Sequence, residues 1–330
     1  MKIFTVIGTR PNIIKVDPKL PNQQIVWTAQ HYDWNMGLSF FEELELPKPK
    51  FNLNCKSSEL GKMTDKLTRL FQKEKPNMVL VFGDTNSSLA GALAAAYQQI
   101  PVAHIEAGLR SHNRRMPEEI NRMLIDRLAT VRICPNFYSE KNLISEGLTE
   151  NNYVCGDPMF DTFLRFIPIK KTKNWHKYIL VTLHRNINVD SKENLQSILE
   201  ALAESKEQFI LPVHPRTAKN LKLFKLKMPK NVKVVQPQTY KKMLELISNA
   251  KKVITDSGGV QREAAWMNTP LILLRTETEW IDLPAKGQAV LVGTDKERIK
   301  EAIKLFKGSV VGPPEGQVNE KIRNILYKYL

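Results

Sequence analysis

The sequence predicts an α/β fold with two doubly wound, Rossmann-like domains that face each other across a cleft. Short β-branched runs alternate with helical patterns almost throughout the chain, which favours parallel sheets covered by helices on both faces. This alternation occurs in two series, separated near residues 165–177 by a polar, basic segment that contains a proline. The length of 330 residues also suits two domains of ~150 residues each.

The first series of elements predicts an N-terminal α/β domain over residues 1–165. Its apolar runs predict strands at 2–8, 24–29, 77–84, 101–108 and 130–135. Apolar residues at spacings of three and four predict helices at 59–74, 86–98 and 117–128. We expect a C-terminal helix within 315–330 to rejoin this domain.

The second series predicts a C-terminal α/β domain over residues 166–314. Strands are predicted at 178–184, 209–214, 232–237, 252–257 and 270–274, and helices at about 191–206, 239–249, 259–267 and 295–306. Ligands of doubly wound sheets bind at the carboxyl ends of the strands. The loops that follow the strands are therefore the segments most relevant to function.

Composition excludes several classes of protein. No apolar run approaches the ~18 residues of a membrane span, so we expect no membrane association and a cytoplasmic location. The three cysteines are far apart and indicate reduced structural thiols. The six histidines form no H-x-x-x-H or H-x-H pair, so no bound metal is expected.

The net charge of +15 allows two interpretations. Nucleic acid is one candidate partner for a chain with a pI near 9.6. The lysines, however, fall on predicted helix faces and loops throughout the chain, without a basic arm or interleaved aromatic residues. We therefore favour a solvated basic surface over a nucleic-acid site; an anionic small substrate would also benefit from this field.

Polar residues collect at the predicted carboxyl ends of the strands. Asp84 and Glu106 end two strands of the first series, and His184 and His214 end two strands of the second. Asp84 alone could simply cap the next helix. Glu106 is harder to explain structurally, since a carboxylate at the end of an apolar strand needs a partner. One terminal histidine would suit a structural role, whereas two favour a site.

The stretch "VITDSGGVQREAAW" places two glycines between a predicted strand and a predicted helix. Ser257, Gly258 and Gly259 form this elbow, where backbone N–H groups can converge at the positive end of the helix dipole. The pattern predicts a phosphate site of moderate specificity. The sequence contains neither G-x-G-x-x-G after the first strand nor G-x-x-x-x-G-K-[ST], which counts against a dinucleotide cofactor and a P-loop NTPase.

Several motifs together resemble one known family. "GTRPNIIK", "TAQHYDWNM", "GDTNSSLAGALAA", "HIEAGLRS", "MPEEINR", "TLHR", "VHPR" and "TDSGGVQREA" are similar, in the same order, to motifs of the non-hydrolysing UDP-N-acetylglucosamine 2-epimerases. They cover residues 1 to about 295. The resemblance implies a GT-B-like fold, a UDP-sugar bound in the cleft with the nucleotide on the C-terminal domain, and a homodimer.

The resemblance also implies a reaction that needs no cofactor and no metal. UDP is eliminated across C1–C2 of the sugar to give a 2-acetamidoglucal, and it adds back after the opposite face of C2 is protonated. Such an enzyme would convert UDP-GlcNAc to UDP-ManNAc, a precursor of surface polysaccharides. This chemistry needs carboxylates near C2, together with cations and N–H groups for the diphosphate.

Roles for individual residues follow from the same resemblance. Asp84, Glu106 and Glu118 become candidate acids and bases, with their individual assignments open, and His184 would assist the departing diphosphate. The implied substrate-binding residues are Arg10, Lys15, His214, Gln238 for the uracil, Ser257, Gly258 and Gly259 for the phosphates, and Glu263 for the ribose.

Some positions depart from the family pattern and leave alternatives open. Asn12 stands where the family usually has Glu, the first helix is shortened, and Trp280 in "TETEW" replaces a substrate-contacting arginine. "QHYDWNM", "TLHRNINVD" and "TETEW" are closer to the branch that acts on UDP-2,3-diacetamido-2,3-dideoxy-glucuronate. A hydrolysing relative that releases ManNAc and UDP, and a GT-B glycosyltransferase, are further alternatives.

Overall fold

The computed structural model describes residues 1–30, 34–55, 59–167 and 177–330, and in these ranges the chain divides into two compact units. Unit 1 contains Met1–Arg165 and Glu315–Leu330, and unit 2 contains Phe166–Pro314. Most of the predicted linker, residues 168–176, lies outside the described residues. Within the described ranges, no helix is both long enough and apolar enough to cross a membrane.

Unit 1 is built on a parallel sheet of seven strands. The strands are β1 (Ile3–Ile7), β2 (Gln23–Trp27), β3 (Phe51–Asn52), β4 (Met78–Phe82), β5 (Val102–Ile105), β6 (Val131–Cys134) and β7 (Asn152–Val154). The helices are α1 (Arg10–Ile14), α2 (Trp34–Glu43), α3 (Leu60–Glu74), α4 (Asn86–Ala96), α5 (Pro117–Leu128), α6 (Phe137–Ser145) and α7 (Met159–Phe166). The strand order β3-β2-β1-β4-β5-β6-β7 is doubly wound, and each pair is parallel.

Unit 2 repeats this plan with six strands. They are β8 (Ile179–Thr182), β9 (Phe209–Pro212), β10 (Val232–Val235), β11 (Val253–Thr255), β12 (Leu271–Leu273) and β13 (Ala289–Leu291), in the order β10-β9-β8-β11-β12-β13. The helices are α8 (Asn186–Val189), α9 (Lys192–Ala203), α10 (Pro215–Leu223), α11 (Tyr240–Ser248), α12 (Gly258–Trp266), α13 (Asp282–Ala285) and α14 (Lys296–Leu305).

The last helix, α15 (Val318–Leu326), belongs to unit 1 although it follows unit 2 in the chain. Asp161 on α7 accepts hydrogen bonds from the N–H groups of Val318 (3.2 Å) and Asn319 (2.7 Å), which satisfies the N-terminus of α15. Arg323 on the next turn pairs with Asp17 at 2.5 Å. These polar contacts attach the C-terminal segment to unit 1.

The strands and helices predicted from the sequence are present, and their ends differ in a regular way. Each predicted strand extends one to three residues beyond the observed carboxyl end, as at 101–108 against Val102–Ile105. The extra residues belong to the following loop and include the polar side chains of Asp84, Glu106, His184 and His214. The prediction missed the strands β3, β7 and β13, which have only two or three residues each, and the helices α2, α6, α7, α8, α10 and α13.

Gly108 shows how tightly the loop after β5 packs against α6. Its φ is +79°, and a Cβ at this position would lie 2.2 Å from the backbone oxygen of Ser139. Gly147, which follows α6, has nearly the same φ, +80°, but a Cβ there would meet no atom within 4 Å. Gly61 in α3 also has open space around it and an ordinary helical backbone.

We expect replacement of these three glycines by alanine to change the free energy of unfolding by different amounts. Gly108→Ala should lower the free energy of unfolding by roughly 3 kcal/mol or more, because a backbone oxygen cannot give way to the new methyl group. Gly147→Ala should cost only about 1 kcal/mol, from the left-handed backbone alone. Gly61→Ala should be neutral or stabilising by up to about 1 kcal/mol. Urea unfolding measures all three, and equal losses in the first two variants would contradict the packing argument.

Candidate functional site

A buried ion pair lies at the carboxyl ends of the central strands of unit 1. Glu106 follows β5 with φ +75°, a left-handed backbone conformation that is unusual for a glutamate. Its carboxylate pairs with the ammonium of Lys15, which follows α1, and the two side chains are 10% and 9% exposed. Gly83, after β4, leaves room for this pair, since a Cβ there would lie 2.8 Å from Glu106 Oε2.

The surroundings of this ion pair favour a retained proton. Burial raises the pKa of Glu106, and the negative charges of Asp157 and Asp84 raise it further, while Lys15 opposes them. Burial alone would lower the pKa of Lys15, but the carboxylates of Glu106, Asp157 and Asp84 outweigh it and raise that pKa. Groups with such raised proton affinity in a buried cluster are suited to proton transfer.

Asp84 lies beside this pair and is held by α5. Its carboxylate forms an ion pair with Arg122, whose side chain is 3% exposed, while that of Asp84 is 31% exposed. Asn121 Nδ2 donates a 2.9 Å hydrogen bond to the backbone oxygen of Asp84. The helix that follows is capped by Thr85, not by Asp84. The capping interpretation of Asp84 is therefore wrong, and its carboxylate is paired with Arg122 and partly exposed beside Glu106.

The two glutamates at the start of α5 have different positions. Glu118, the predicted acid or base, is exposed on the first turn. Glu119 is buried and accepts hydrogen bonds from the N–H of Ser111 (2.9 Å), the hydroxyl of Ser111 (2.9 Å) and the N–H of His112 (3.0 Å). Glu119 thus fixes the loop that leads into α5, while Glu118 is left accessible to a ligand.

A second buried charge network, formed by Asp126, His104 and Arg110, lies next to the loop at Gly83. Asp126 on α5 is fully buried and accepts from His104 Nδ1 at 2.7 Å and from Arg110 at 2.8 Å. Burial alone would raise the pKa of Asp126, but the charges and hydrogen bonds of His104 and Arg110 lower it. His104 Nε2 lies 2.9 Å from the backbone oxygen of Gly83. His104 is therefore a core histidine with a partner for each ring nitrogen.

The first helix of unit 1 carries Arg10 and Asn12. Arg10 begins α1, and its guanidinium lies over the ring of Phe40, 4.2 Å from the centroid. Asn12 is buried, accepts from the hydroxyl of Thr9 at 2.9 Å, and donates to the backbone oxygen of Phe82 at 3.1 Å. Asn12 therefore ties α1 to the carboxyl end of β4. The helix has five residues, as the short segment predicted.

In unit 2, His184 is oriented by a buried carboxylate. Asp256, directly after β11, accepts from His184 Nδ1 at 2.9 Å and from the backbone N–H groups of His184 and Arg185. It also accepts from Asn188 Nδ2 at 3.1 Å. Burial alone would raise the pKa of Asp256, but the hydrogen bond and charge of His184, with these N–H groups, lower it. The imidazole is therefore held by Nδ1, and its side chain is 39% exposed.

His214 lies next to His184, with the two ring centroids 5.7 Å apart. It is the N-cap of α10, where its Nδ1 accepts a 3.2 Å hydrogen bond from the N–H of Arg216. This contact assigns the remaining ring proton of a neutral His214 to Nε2. The structure thus brings together the two histidines that the sequence placed at neighbouring strand ends.

The Ser257-Gly258-Gly259 elbow is the N-terminus of α12, as predicted. Ser257 caps the helix by accepting from the N–H of Val260 at 3.4 Å, and Gly258 is the first helical residue. Gln261 is fully buried, and its Nε2 has no hydrogen-bond partner among the described residues. This nitrogen lies 3.9 Å from where a Cβ on Gly258 would stand. The elbow therefore presents a buried donor next to the helix N-terminus.

Charged residues of the following loop also reach this elbow. Glu279 Oε1 lies 3.6 Å from the position of a Cβ on Gly258, and the carboxylate pairs with Arg275 at 2.5 Å and with Arg185 at 3.7 Å. Trp280, the residue that departs from the family pattern, is buried, with the guanidinium of Arg262 4.0 Å from its ring centroid. Trp280 is thus a packing residue of this loop.

The remaining predicted site residues lie elsewhere in unit 2. Glu263 is buried in the second turn of α12. Gln238 follows β10 and lines a cavity of about 290 Å³ together with Lys233, Val235 and Lys242. None of the residues that line this cavity is another predicted site residue. The described residues contain no group of three or more His, Cys, Asp or Glu side chains arranged to hold a metal.

Three residues that the sequence analysis did not select take part in these sites: Asp157, Arg122 and Asp256. Asp256 directly follows a predicted strand, so the rule that polar residues gather at carboxyl ends could have found it. Asp157 follows β7, a three-residue strand that the sequence did not reveal. No sequence pattern marks Arg122 as a site residue, because its contact with Asp84 depends on the packing of α5.

Residues 15–324 match the family model described as UDP-N-acetylglucosamine 2-epimerase. The chain belongs to this family. It is 43% identical to the "UDP-N-acetylglucosamine 2-epimerase homolog" of Methanococcus maripaludis, over 93% of this chain and 92% of that one. It is 40% identical to the UDP-2,3-diacetamido-2,3-dideoxy-D-glucuronate 2-epimerase of Pseudomonas aeruginosa, over 99% of this chain and 100% of the relative.

Solved structures agree with the family assignment. The crystal structure of the Methanocaldococcus jannaschii UDP-GlcNAc 2-epimerase in complex with UDP-GlcNAc and UDP has a TM-score of 0.93 and 40% identity, and covers 99% of this chain and 100% of that one. The calicheamicin glycosyltransferase has a TM-score of 0.53 at 12% identity, with 99% and 94% of the chains covered, which shows the fold alone. The predicted α/β fold with two doubly wound sheets, of GT-B type, is confirmed.

Removing the buried carboxylate of Asp256 should produce a pH-dependent loss of stability. Asp256→Ala should lower the free energy of unfolding at neutral pH by about 3 kcal/mol, because several donors lose their acceptor. The folded-state pKa of Asp256 is lowered, so its stabilisation is present above the unfolded pKa and is lost as pH falls through the folded pKa. The difference between wild type and variant should therefore shrink in acid.

Urea unfolding at a series of pH values tests this dependence. Asp295→Ala is the matched control, since Asp295 is an exposed N-cap of α14 and should cost about 1 kcal/mol. A deficit in Asp256→Ala that stays constant through acid titration would show that its charge does not stabilise the fold.

Proposed function

We propose that this chain is a non-hydrolysing epimerase that inverts C2 of UDP-GlcNAc to give UDP-ManNAc, as part of surface polysaccharide precursor synthesis. The observation that carries the proposal is the buried Lys15–Glu106 pair beside Asp84, in which the pKa of the Glu106 carboxyl is raised. A carboxyl of raised pKa can both accept and return a proton near neutral pH. Membership of the epimerase family supplies the reaction type.

The reaction consists of an elimination followed by the reverse addition. The C1–O bond breaks and its electron pair leaves with the β-phosphate oxygen of UDP, while a carboxylate removes the proton from C2 and a C1=C2 double bond forms. A proton then reaches the opposite face of C2, and the UDP oxygen rebonds to C1. The C2 proton is weakly acidic, so departure of UDP leads and C1 gains oxocarbenium character.

The acid cluster of unit 1 is proposed to act on the sugar. Two proton-transfer groups are needed, one for each face of C2, and Glu106, Asp84 and Glu118 are the candidates. The carboxylate of Asp84, which pairs with Arg122, is suited to stabilise positive charge at C1. Lys15 compensates the negative charge of the cluster when Glu106 is ionised.

The elbow of unit 2 is proposed to bind the leaving diphosphate. Gly258 and Gly259 offer first-turn N–H groups at the positive end of α12, and the buried Nε2 of Gln261 is a further donor. His184, fixed through Nδ1 by Asp256, would direct Nε2 at the departing oxygen. The other proposed substrate contacts are those of Arg10, His214, Gln238 with the uracil, Ser257 with phosphate and Glu263 with the ribose.

A second substrate is supported by one specific observation. The Pseudomonas aeruginosa relative, named for UDP-2,3-diacetamido-2,3-dideoxy-D-glucuronate, matches this chain at 40% identity over almost its whole length. The same elimination and addition would apply to that sugar, since it also carries an acetamido group at C2.

Incubation with UDP-GlcNAc in deuterated water should yield UDP-ManNAc with deuterium at C2, detected by the loss of the H2 signal in proton NMR. Deuterium enters because the proton removed from C2 exchanges with solvent on the carboxylate. Release of free ManNAc with UDP would instead indicate hydrolysis. If UDP-GlcNAc does not change but the diacetamido-glucuronate sugar exchanges its C2 proton, the substrate is reassigned to that sugar. Failure with both sugars would refute the epimerase proposal.

Glu106→Gln should reduce C2 exchange by at least about 100-fold, because the amide cannot take up a proton at neutral pH. Binding of UDP should change little, since the diphosphate is assigned to unit 2. Glu150→Gln, which neutralises an exposed acid of the same unit, should leave both properties unchanged. Circular dichroism checks folding, and loss of the folded state in Glu106→Gln would instead support a structural role for the residue.

A further inference from the structure

The first helix of unit 1, α1, is too short to be stable by itself. It has five residues, and Lys15 directly follows it as the C-cap. A single turn of helix is unstable in water without tertiary contacts. The position of the Lys15 ammonium beside Glu106 therefore depends on what holds residues 14–17, the segment that contains Lys15.

This segment is held on both sides of Lys15 by helices that pack against it. Before Lys15, Thr162 of α7 donates a 2.7 Å hydrogen bond to the backbone oxygen of Ile14. After Lys15, Arg323 of α15 forms a 2.5 Å ion pair with Asp17. The two contacts lie one residue before Lys15 and two residues after it. Together they fix the backbone from which its side chain extends.

The Arg323–Asp17 pair lies close to the acid cluster and is largely shielded from solvent. Its side chains are 20% and 12% exposed, so salt screens this pair less than a surface pair, and both residues line the same small cavity as Lys15. Asp17 also accepts a 2.9 Å hydrogen bond from the N–H of Lys19, and its backbone oxygen accepts from Gln23 Nε2 at 2.8 Å. Asp17 is thus the residue through which α15 contacts the loop after Lys15.

Helix α15 is itself docked on α7 and on the loop after β7. Asp161 of α7 accepts hydrogen bonds from the N–H groups of Val318 (3.2 Å) and Asn319 (2.7 Å). A Cβ on Gly156, in the loop after β7, would lie 2.9 Å from Val318 Cγ2, so the helix approaches that backbone closely. Arg323 therefore extends from a helix whose position is fixed.

We propose that Arg323 is a positioning residue for the acid cluster, which holds Asp17 and thereby keeps the ammonium of Lys15 on the carboxylate of Glu106. This inference rests on the proposed function, in which Glu106 exchanges a proton with C2 of the sugar. Arg323 acts through Asp17 and Lys15, without contact to the substrate. The last helix of the chain, which follows unit 2 in the sequence, thus completes the acid cluster of unit 1.

The test is a titration of the Glu106 carboxyl in protein labelled with carbon-13 at the glutamate side-chain carboxyls. The Glu106 signal is the one that disappears in Glu106→Gln. The charged groups that act on Glu106 are Lys15, Asp157 and Asp84, of which Lys15 lowers its pKa and the two acids raise it. In Arg323→Ala the ammonium of Lys15 is held less firmly, so the titration midpoint of Glu106 should move up by ~1 pH unit.

Asp17→Asn separates positioning from a direct effect of charge. Removal of the negative charge of Asp17 would by itself make Glu106 easier to ionise and move its midpoint down. Loss of the Arg323 contact instead frees the segment that carries Lys15, so we expect the midpoint to move up, as in Arg323→Ala. Asp17→Asn also serves as the second variant if Arg323→Ala does not fold.

Two control variants account for charge and for stability. Lys321→Ala removes a cation from the same helix, but Lys321 pairs with the exposed Glu315 at 3.0 Å, so the Glu106 midpoint should stay at its wild-type value. Leu67→Ala removes a fully buried side chain from the core of unit 1. It should lower the urea midpoint and leave the Glu106 midpoint unchanged.

The pH dependence of C2 exchange gives a second measurement. The pH midpoint that Glu106 sets should move up together with the NMR midpoint in Arg323→Ala and Asp17→Asn. Binding of UDP should stay unchanged in both variants, since the diphosphate is assigned to unit 2.

The outcomes separate this inference from the proposed function. An unchanged Glu106 midpoint in Arg323→Ala and Asp17→Asn, with only a loss of stability, would reduce the pair to an anchor of α15 and overturn the inference. A midpoint that moves up in Arg323→Ala but down in Asp17→Asn would indicate a direct effect of charge and overturn it as well. A wild-type enzyme without C2 exchange would refute the proposed function, while the carboxyl titration would still report on Arg323, because it requires no turnover.

Discussion

The loops that carry the candidate site depend on the burial of two ionised carboxylates, Asp126 in unit 1 and Asp256 in unit 2. Both are fully buried, and the pKa of each is lowered by the donors around it. A buried carboxylate costs several kcal/mol unless it is paired and hydrogen-bonded. Asp126 accepts from His104 on β5 and from the N–H of Gly108 in the loop after β5. Asp256 accepts from the ring and the N–H of His184 in the loop after β8. Each carboxylate thus fixes the backbone near a proposed catalytic side chain.

The two carboxylates give different properties to the histidines that they hold. His104 is fully buried, and both of its ring nitrogens contact groups of the fold. His184 makes the same kind of contact with Asp256 through Nδ1, but its side chain is 39% exposed. Only the second arrangement leaves a ring nitrogen accessible to a ligand. An Asp–His pair is therefore structural in unit 1, while the equivalent pair in unit 2 is suited to substrate chemistry because its histidine is exposed to solvent.

The fold was predictable because the spacing of apolar residues follows directly from strand and helix geometry. Asp84, Glu106, His184 and the elbow at Ser257 were predictable because they follow strands that the pattern reveals. Asp157 follows a three-residue strand, which is too short to give a recognisable pattern. Because no strand was predicted there, the sequence did not show that Asp157 lies at the carboxyl end of one. The position of Asp157 depends on the docking of α7, where Thr162 donates to the backbone oxygen of Ile14, and a contact of that kind is encoded only in the tertiary structure.

Helix α5 buries charged side chains and exposes two large apolar ones. Glu119, Arg122 and Asp126 share one face at helical spacing, and this charged face is buried, while the apolar side chains of Ile120 and Leu124 are each 46% exposed. Ile125 is buried on this face too, but hydrophobicity alone would also bury Ile120 and Leu124. Turning the helix would bury both side chains and gain roughly 1 kcal/mol for each, but it would remove the partners of Asp84 and His104. Unpaired buried charges cost more than this gain, so electrostatics sets the orientation of α5.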